Sequence, residues 1–140
     1  MKEFQIINLA ITPEQLYTSA DLNYNDSDSR SIREQRDAAT RPAISGSVEN
    51  MKQYDIVFWG YPIWNGQAPK IISTFLESYD FSGKTVIPFS THGGSSFAGT
   101  PATIQSLEPG AKMLDGLTIS RNNIQDAEQE IVSWVNGLDY

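Results

Sequence analysis

The chain has no cysteine. This excludes a disulfide framework, a thiolate metal site and a redox thiol. It has one histidine, His92, so a metal centre built on imidazole and thiolate ligands has almost nothing to draw on. Positive charge is scarce as well. Ten lysines and arginines stand against 17 aspartates and glutamates, a net charge of -7. Nucleic acid and anionic membrane surfaces are therefore not expected partners, whereas a basic partner is compatible with the charge. Long hydrophobic runs are absent. The N-terminal one, Ile6 to Ile11, is too short for a signal-peptide core with its flanks and far short of a membrane span. A soluble cytoplasmic protein is expected. Glycine is missing from the first 45 residues and begins at Gly46.

What is present fits one globular domain. A chain of 140 residues, 39% hydrophobic and 19% charged, is long enough to bury a core. The sequence has no internal repeat. Its centre is Tyr54 to Gly66, YDIVFWGYPIWNG. The apolar run Ile56-Val57-Phe58-Trp59 reads as a strand buried on both faces, the kind found in parallel sheets covered by helices. Directly after it comes the loop Tyr61-Pro62-Ile63-Trp64-Asn65-Gly66. In an open α/β sheet the ligand crevice lies outside the carboxyl ends of the strands, and this loop brings Tyr61 and Trp64 there.

Taken in order, Phe4 to Ala10 is expected to be a strand. Thr12-Pro13 looks like a helix start, with Thr12 as N-cap. From Ser19 to Arg41 the chain is polar, with a short surface helix at Arg30 to Ala38; composition favours a solvated excursion. Ser47 is positioned to cap a short helix, Val48 to Gln53. Pro69 opens a helix whose Ile71, Ile72, Phe75 and Leu76 form one apolar stripe. Thr85 to Phe89 is the next strand, followed by the loop Ser90 to Ser96. A helix from Thr100 to about Leu107 ends at Pro109-Gly110. Met113-Leu114 and Leu117 to Ile119 form a last, broken strand. Asn122 or Asn123 caps a final helix presenting Ile124, Ala127, Ile131, Trp134 and Val135. Strands alternating with helices predict a doubly wound α/β fold with a parallel sheet.

Each candidate residue has a plainer alternative. Trp64 either stacks on a ligand or plugs the strand ends. Tyr61 is equally at home in the core, and Trp59 reads as core. Gly93-Gly94-Ser95-Ser96 is either a backbone nest for a ligand or a tight turn. His92 with Ser95 does not make a hydrolase, because Phe97 stands where the G-x-S-x-G pattern needs its last glycine. The charges from Arg30 to Asp37 read as a solvated face or as a rim.

Two long stretches carry a family resemblance. DLNYNDSDSRSIREQRD with its following RPAI, and YDIVFWGYPIWNGQAPKIISTFLESYDFSGKTVIPFSTHGGSS, together cover well over half the chain and resemble the short bacterial flavodoxins. The resemblance implies a flavodoxin-like fold that binds FMN at the carboxyl edge of the sheet. It assigns Tyr61, Pro62, Ile63, Trp64, Asn65 and Gly66 to the side of the flavin ring. Thr91, His92, Gly93, Gly94 and Ser95 are assigned to the ring's polar edge. It further implies electron transfer or quinone or flavin reduction with an unknown redox partner, and no catalytic side chain and no metal.

The sequence departs from the family in three places. The family's first strand, its glycine-containing phosphate loop and its first helix have no counterpart, so four strands are expected. Asn65 stands where a second tryptophan is common, and Ser96 where a glycine is. A phosphate loop makes several charge-assisted hydrogen bonds of roughly 1.5–3 kcal/mol each, so FMN affinity is expected to suffer. An open central sheet edge would invite a homodimer. The alternative is a cofactor-free relative acting as an interaction or structural module.

Overall fold

The structure is a computed structural model that describes residues 6–140. Its elements are β1 (Thr12–Pro13), α1 (Arg30–Arg36), β2 (Ile44–Ser45), β3 (Ile56–Pro62), α2 (Lys70–Ser78), β4 (Thr85–His92), α3 (Thr100–Leu107), β5 (Lys112–Met113), β6 (Leu117–Ser120) and α4 (Glu128–Asn136). Strands β3, β4, β5 and β6 form a parallel four-stranded sheet, with β5 and β6 both pairing to β4. The fold is therefore the expected doubly wound α/β arrangement. The two halves of the broken last strand share the place beside β4, so the four strands occupy three positions.

Register explains how the faces divide. Trp59 pairs with Pro88 and Tyr61 with Ser90, so Val57, Trp59, Tyr61, Val86, Pro88 and Ser90 share one face. That face packs on α2 and α3. Trp59, Tyr61, Val86, Ile72, Phe75, Leu76, Phe81 and Ile104 form one buried cluster. The α2 stripe is buried as its spacing requires. Trp59 meets Phe75 edge to face at 4.8 Å. Lys84, although buried, directs its ammonium at the carbonyls of Met51 and Tyr54, which spares the charge an unpartnered burial.

The opposite face carries Phe58, Gly60, Ile87, Phe89 and Thr91. Here the expectation of burial on both faces fails for β3. Phe58 is 42% exposed and Phe89 43%, because the helix on this side, α4, covers the strands mainly through Trp134. Its indole lies 5.9 Å from the Phe58 ring and 6.5 Å from the Phe89 ring. Phe89 folds across Gly60, where a Cβ would come within 2.3 Å of the ring. Only glycine fits there. Of the five residues in the expected stripe of the final helix, Ile124 and Ile131 stay exposed, while Ala127 is buried.

The first third departs most from expectation. Phe4 and Gln5 lie outside the described residues. The rest of that expected strand, Ile6 to Ala10, pairs with nothing among the described residues and is exposed, Ile6 by 87%. Thr12-Pro13 is not a helix start; it forms a two-residue antiparallel pair with Ile44-Ser45. The helix expected before β3 shrinks to one 3-10 turn, Met51–Gln53. The final helix also begins with such a turn, Ile124–Asp126, and Asn123 makes no side-chain cap. The polar excursion is ordered. α1 buries Ser31, Ile32 and Gln35, and Arg41 grips Glu77 of α2 with two bonds of 2.8–2.9 Å.

Candidate functional site

β3 and β4 run parallel and end together, with Pro62 opposite Thr91. The loops that follow therefore open at the same carboxyl edge, where such folds place ligands.

The first loop is a tight turn. Trp64 and Gln67 exchange backbone hydrogen bonds of 2.8 and 3.0 Å, and Asn65 (φ 48) and Gly66 (φ 71) both sit in the left-handed region. This is the pattern for which Asn-Gly is favoured, so Asn65 is there for the backbone it allows. Tyr61 and Ile63 turn inward and are buried. The Tyr61 hydroxyl meets Thr100 Oγ1 at 2.8 Å, and burial pushes its phenol up from the ordinary value. These two side chains form the floor. Pro62, Asn65 and Gly66 are exposed and Trp64 is half-buried.

Trp64 is held from the side by Tyr17, which precedes the polar excursion and is tied to it. Its ring meets Tyr17 edge to face, 5.3 Å between centroids. The Tyr17 hydroxyl donates to Glu34 Oε2 at 2.5 Å, and the Arg30 guanidinium lies 4.0 Å over the Tyr17 ring. Arg30 also donates to Glu34 Oε1 and to the Gln15 carbonyl, both at 2.8 Å. Burial raises the Tyr17 phenol well above its usual range, and the Glu34 carboxylate adds to the effect. Further bonds brace the aromatic loop against α1, Gln67 Nε2 to the Gln35 carbonyl at 3.2 Å and Gln35 Nε2 to the Ala68 carbonyl at 3.4 Å.

The second loop is rich in donors. His92 Nδ1 accepts from the Gly94 N–H at 3.0 Å, so the neutral ring carries its proton on Nε2. Among the described residues, the N–H groups of Gly93, Ser95 and Ser96 meet no acceptor. Gly94 (φ 145) needs its missing Cβ, and Ser96 (φ 52) takes a left-handed conformation that suits glycine better. Thr91, Gly93, Gly94 and Ser95 are exposed, and His92 is half-buried. The imidazole engages the loop backbone, with no hydrogen bond to a serine or a carboxylate. Arg121 follows β6 and donates its N–H to the His92 carbonyl at 2.8 Å. A Cβ on Gly93 would lie 3.8 Å from the Arg121 guanidinium carbon.

The two expected loops thus come together. Arg30 and Glu34, read from the sequence as a solvated face or a rim, lie close by, and Tyr17 and Arg121 join without having been assigned to the site from the sequence. Arg30 and Glu34 are four apart, a helix-pair spacing open to detection; nothing local marks Tyr17 or Arg121.

The edge offers the half-buried indole of Trp64 on one loop and free N–H donors on the next, the kinds of group a flavin ring would use. Ahead of β3 the described residues hold no glycine-rich phosphate loop; the glycine there is Gly46, beside β2. In the excursion Ser27, Arg33 and Arg36 are exposed, whereas other polar groups are engaged or enclosed. Ser29 and Ser31 are buried, and Arg30 is spent on Glu34, Gln15 and Tyr17. Among the described residues no cluster of histidine, aspartate or glutamate could hold a metal ion, and no helix is long and apolar enough to cross a membrane.

Fold and site together define a flavodoxin-like α/β protein. The chain belongs to the flavodoxin family, whose profile, described as Flavodoxin, matches residues 5–138. Two solved structures are close. A candidate flavoprotein of Bacteroides eggerthii is 42% identical, with a TM-score of 0.74 over 87% of this chain and 79% of that one. Another from Bacteroides uniformis is 40% identical, with a TM-score of 0.78 over 87% of this chain and 78% of that one. A flavoprotein of Lactobacillus acidophilus in complex with FMN shares the fold at 17% identity, TM-score 0.57, over 83% and 76% of the two chains. No curated protein matches the chain.

Proposed function

We propose that the chain binds a flavin, FMN or its ring, at the carboxyl edge of the sheet and serves electron transfer or the reduction of a quinone or flavin. The observation that carries this reading is that Trp64 and the free N–H groups of Gly93, Ser95 and Ser96 lie on the two loops that leave β3 and β4 at the same carboxyl edge, where a family of flavoproteins would hold its cofactor. When bound, the flavin supplies the redox chemistry. The protein's own part is placement. Trp64 offers a face for stacking, with Pro62, Asn65 and Gly66 beside it. Tyr61 and Ile63 supply a rigid floor. Thr91, His92, Gly93, Gly94 and Ser95 line the polar side, and the His92 Nε2–H adds one more donor. The redox partner is unknown.

Titration with FMN and with riboflavin, followed by flavin fluorescence, tests this. Ring-held binding predicts similar micromolar or weaker constants for the two. FMN binding much tighter than riboflavin would mean that a phosphate seat exists, supplied by the excursion or a neighbouring chain. Binding of neither would remove the proposal. A second reading, an interaction module without cofactor, is favoured by the outer edge of β3, which pairs with nothing among the described residues, and by the half-bare Phe58 and Phe89 face. It includes a homodimer through that edge.

A further inference from the structure

The second loop presents several unpartnered hydrogen-bond donors. The N–H groups of Gly93, Ser95 and Ser96 are free among the described residues, His92 keeps its proton on Nε2 because Nδ1 accepts from Gly94, and Arg121 stands over Gly93. Arg121 is exposed and makes no ion pair among the described residues. Its backbone is pinned by the N–H bond to the His92 carbonyl at the end of β4.

A donor row with an unpaired cation seeks an electron-rich or anionic edge. We propose that Arg121, with the Gly93–Ser96 backbone, forms an anion-receiving seat, and that Arg121 makes the site prefer the reduced flavin to the oxidised one. This rests on the reading that the ring lies at this loop. The oxidised ring is neutral. After uptake of two electrons and one proton it carries one negative charge, which is what a guanidinium stabilises. The preference therefore appears as a higher midpoint potential for the bound flavin.

The test uses the parent chain, Arg121→Gln and Arg121→Lys, loaded with riboflavin and reduced stepwise with dithionite against a reference dye. Arg121→Gln is expected to lose about tenfold of the preference for the reduced form, which for a two-electron couple lowers the potential by about 30 mV. Arg121→Lys keeps most of it. Melting temperatures should stay together, because the side chain is exposed. Equal potentials in the parent and Arg121→Gln would overturn the proposal. Failure of the parent to bind riboflavin would overturn the flavin reading instead. In that case the seat is tested on its own, by titrating benzoate and following the amide NMR signals of Gly93, Ser95 and Ser96. Shifts that disappear in Arg121→Gln support the seat, and identical responses in the two proteins sink it.

Discussion

Tyr17 is the residue on which the polar excursion and the site meet. Its hydroxyl bond to Glu34 is charge-assisted, so Tyr17→Phe is expected to cost about 1.5–3 kcal/mol in urea unfolding. The raised phenol pKa gives the bond a pH signature. The folded state holds the proton more tightly than the unfolded chain does. Its contribution is fully present below the ordinary phenol value of about 10 and is lost as pH rises above that, through the folded value. Melts across pH 8 to 11 should show a steeper alkaline loss in the parent than in Tyr17→Phe. Ser96 offers a change of opposite sign. It holds φ 52, a conformation that costs a side chain about 1–2 kcal/mol. Ser96→Gly should therefore raise the melting temperature, by about 0.5–1 kcal/mol in stability once the added freedom of the unfolded chain is subtracted.

Among the elements, α4 has the most unequal cover. It holds the Phe58 and Phe89 side of the sheet largely through Trp134, whose Nε1–H also donates to the Asp115 carbonyl at 2.9 Å. Trp134→Ala is expected to cost about 2–3 kcal/mol, below the range for a fully buried aromatic, and to free α4 for hydrogen exchange ahead of α2. The α2 stripe was readable from spacing alone, because Ile71, Ile72, Phe75 and Leu76 repeat with the helix period and the sheet supplies the partner. The α4 stripe had a similar period, yet Ile131 stayed bare. Periodicity says which residues share a face, and only a neighbour decides whether the face is buried. Thr12-Pro13 shows the limit of a local signal. The pair matches a helix start, but strand pairing with Ile44-Ser45 took it instead.

For the whole molecule, the outer edge of β3 is the feature with the widest consequence. A parallel strand with seven residues and an edge that pairs with nothing among the described residues, beside two phenylalanines above 40% exposure, is a template for another strand. Light scattering on the purified chain is expected to show a concentration-dependent dimer. A strict monomer at high concentration would count against the edge as an interface.

The sequence by itself determined the alternation of strands and helices, the buried stripe of α2, and the two loops that end β3 and β4. Each of these follows from the local period of apolar residues and from turn chemistry such as Asn65-Gly66. It also carried the family through long stretches of matching residues. Only the tertiary structure decided that Tyr17, tied to Arg30 and Glu34 of the excursion, packs on Trp64, because the two are far apart in the chain and meet through packing. It alone placed Arg121 beside Gly93, turned Tyr61 and Ile63 inward, and left one face of the sheet half bare. Those outcomes depend on which surfaces lie opposite one another, and no short-range pattern encodes that.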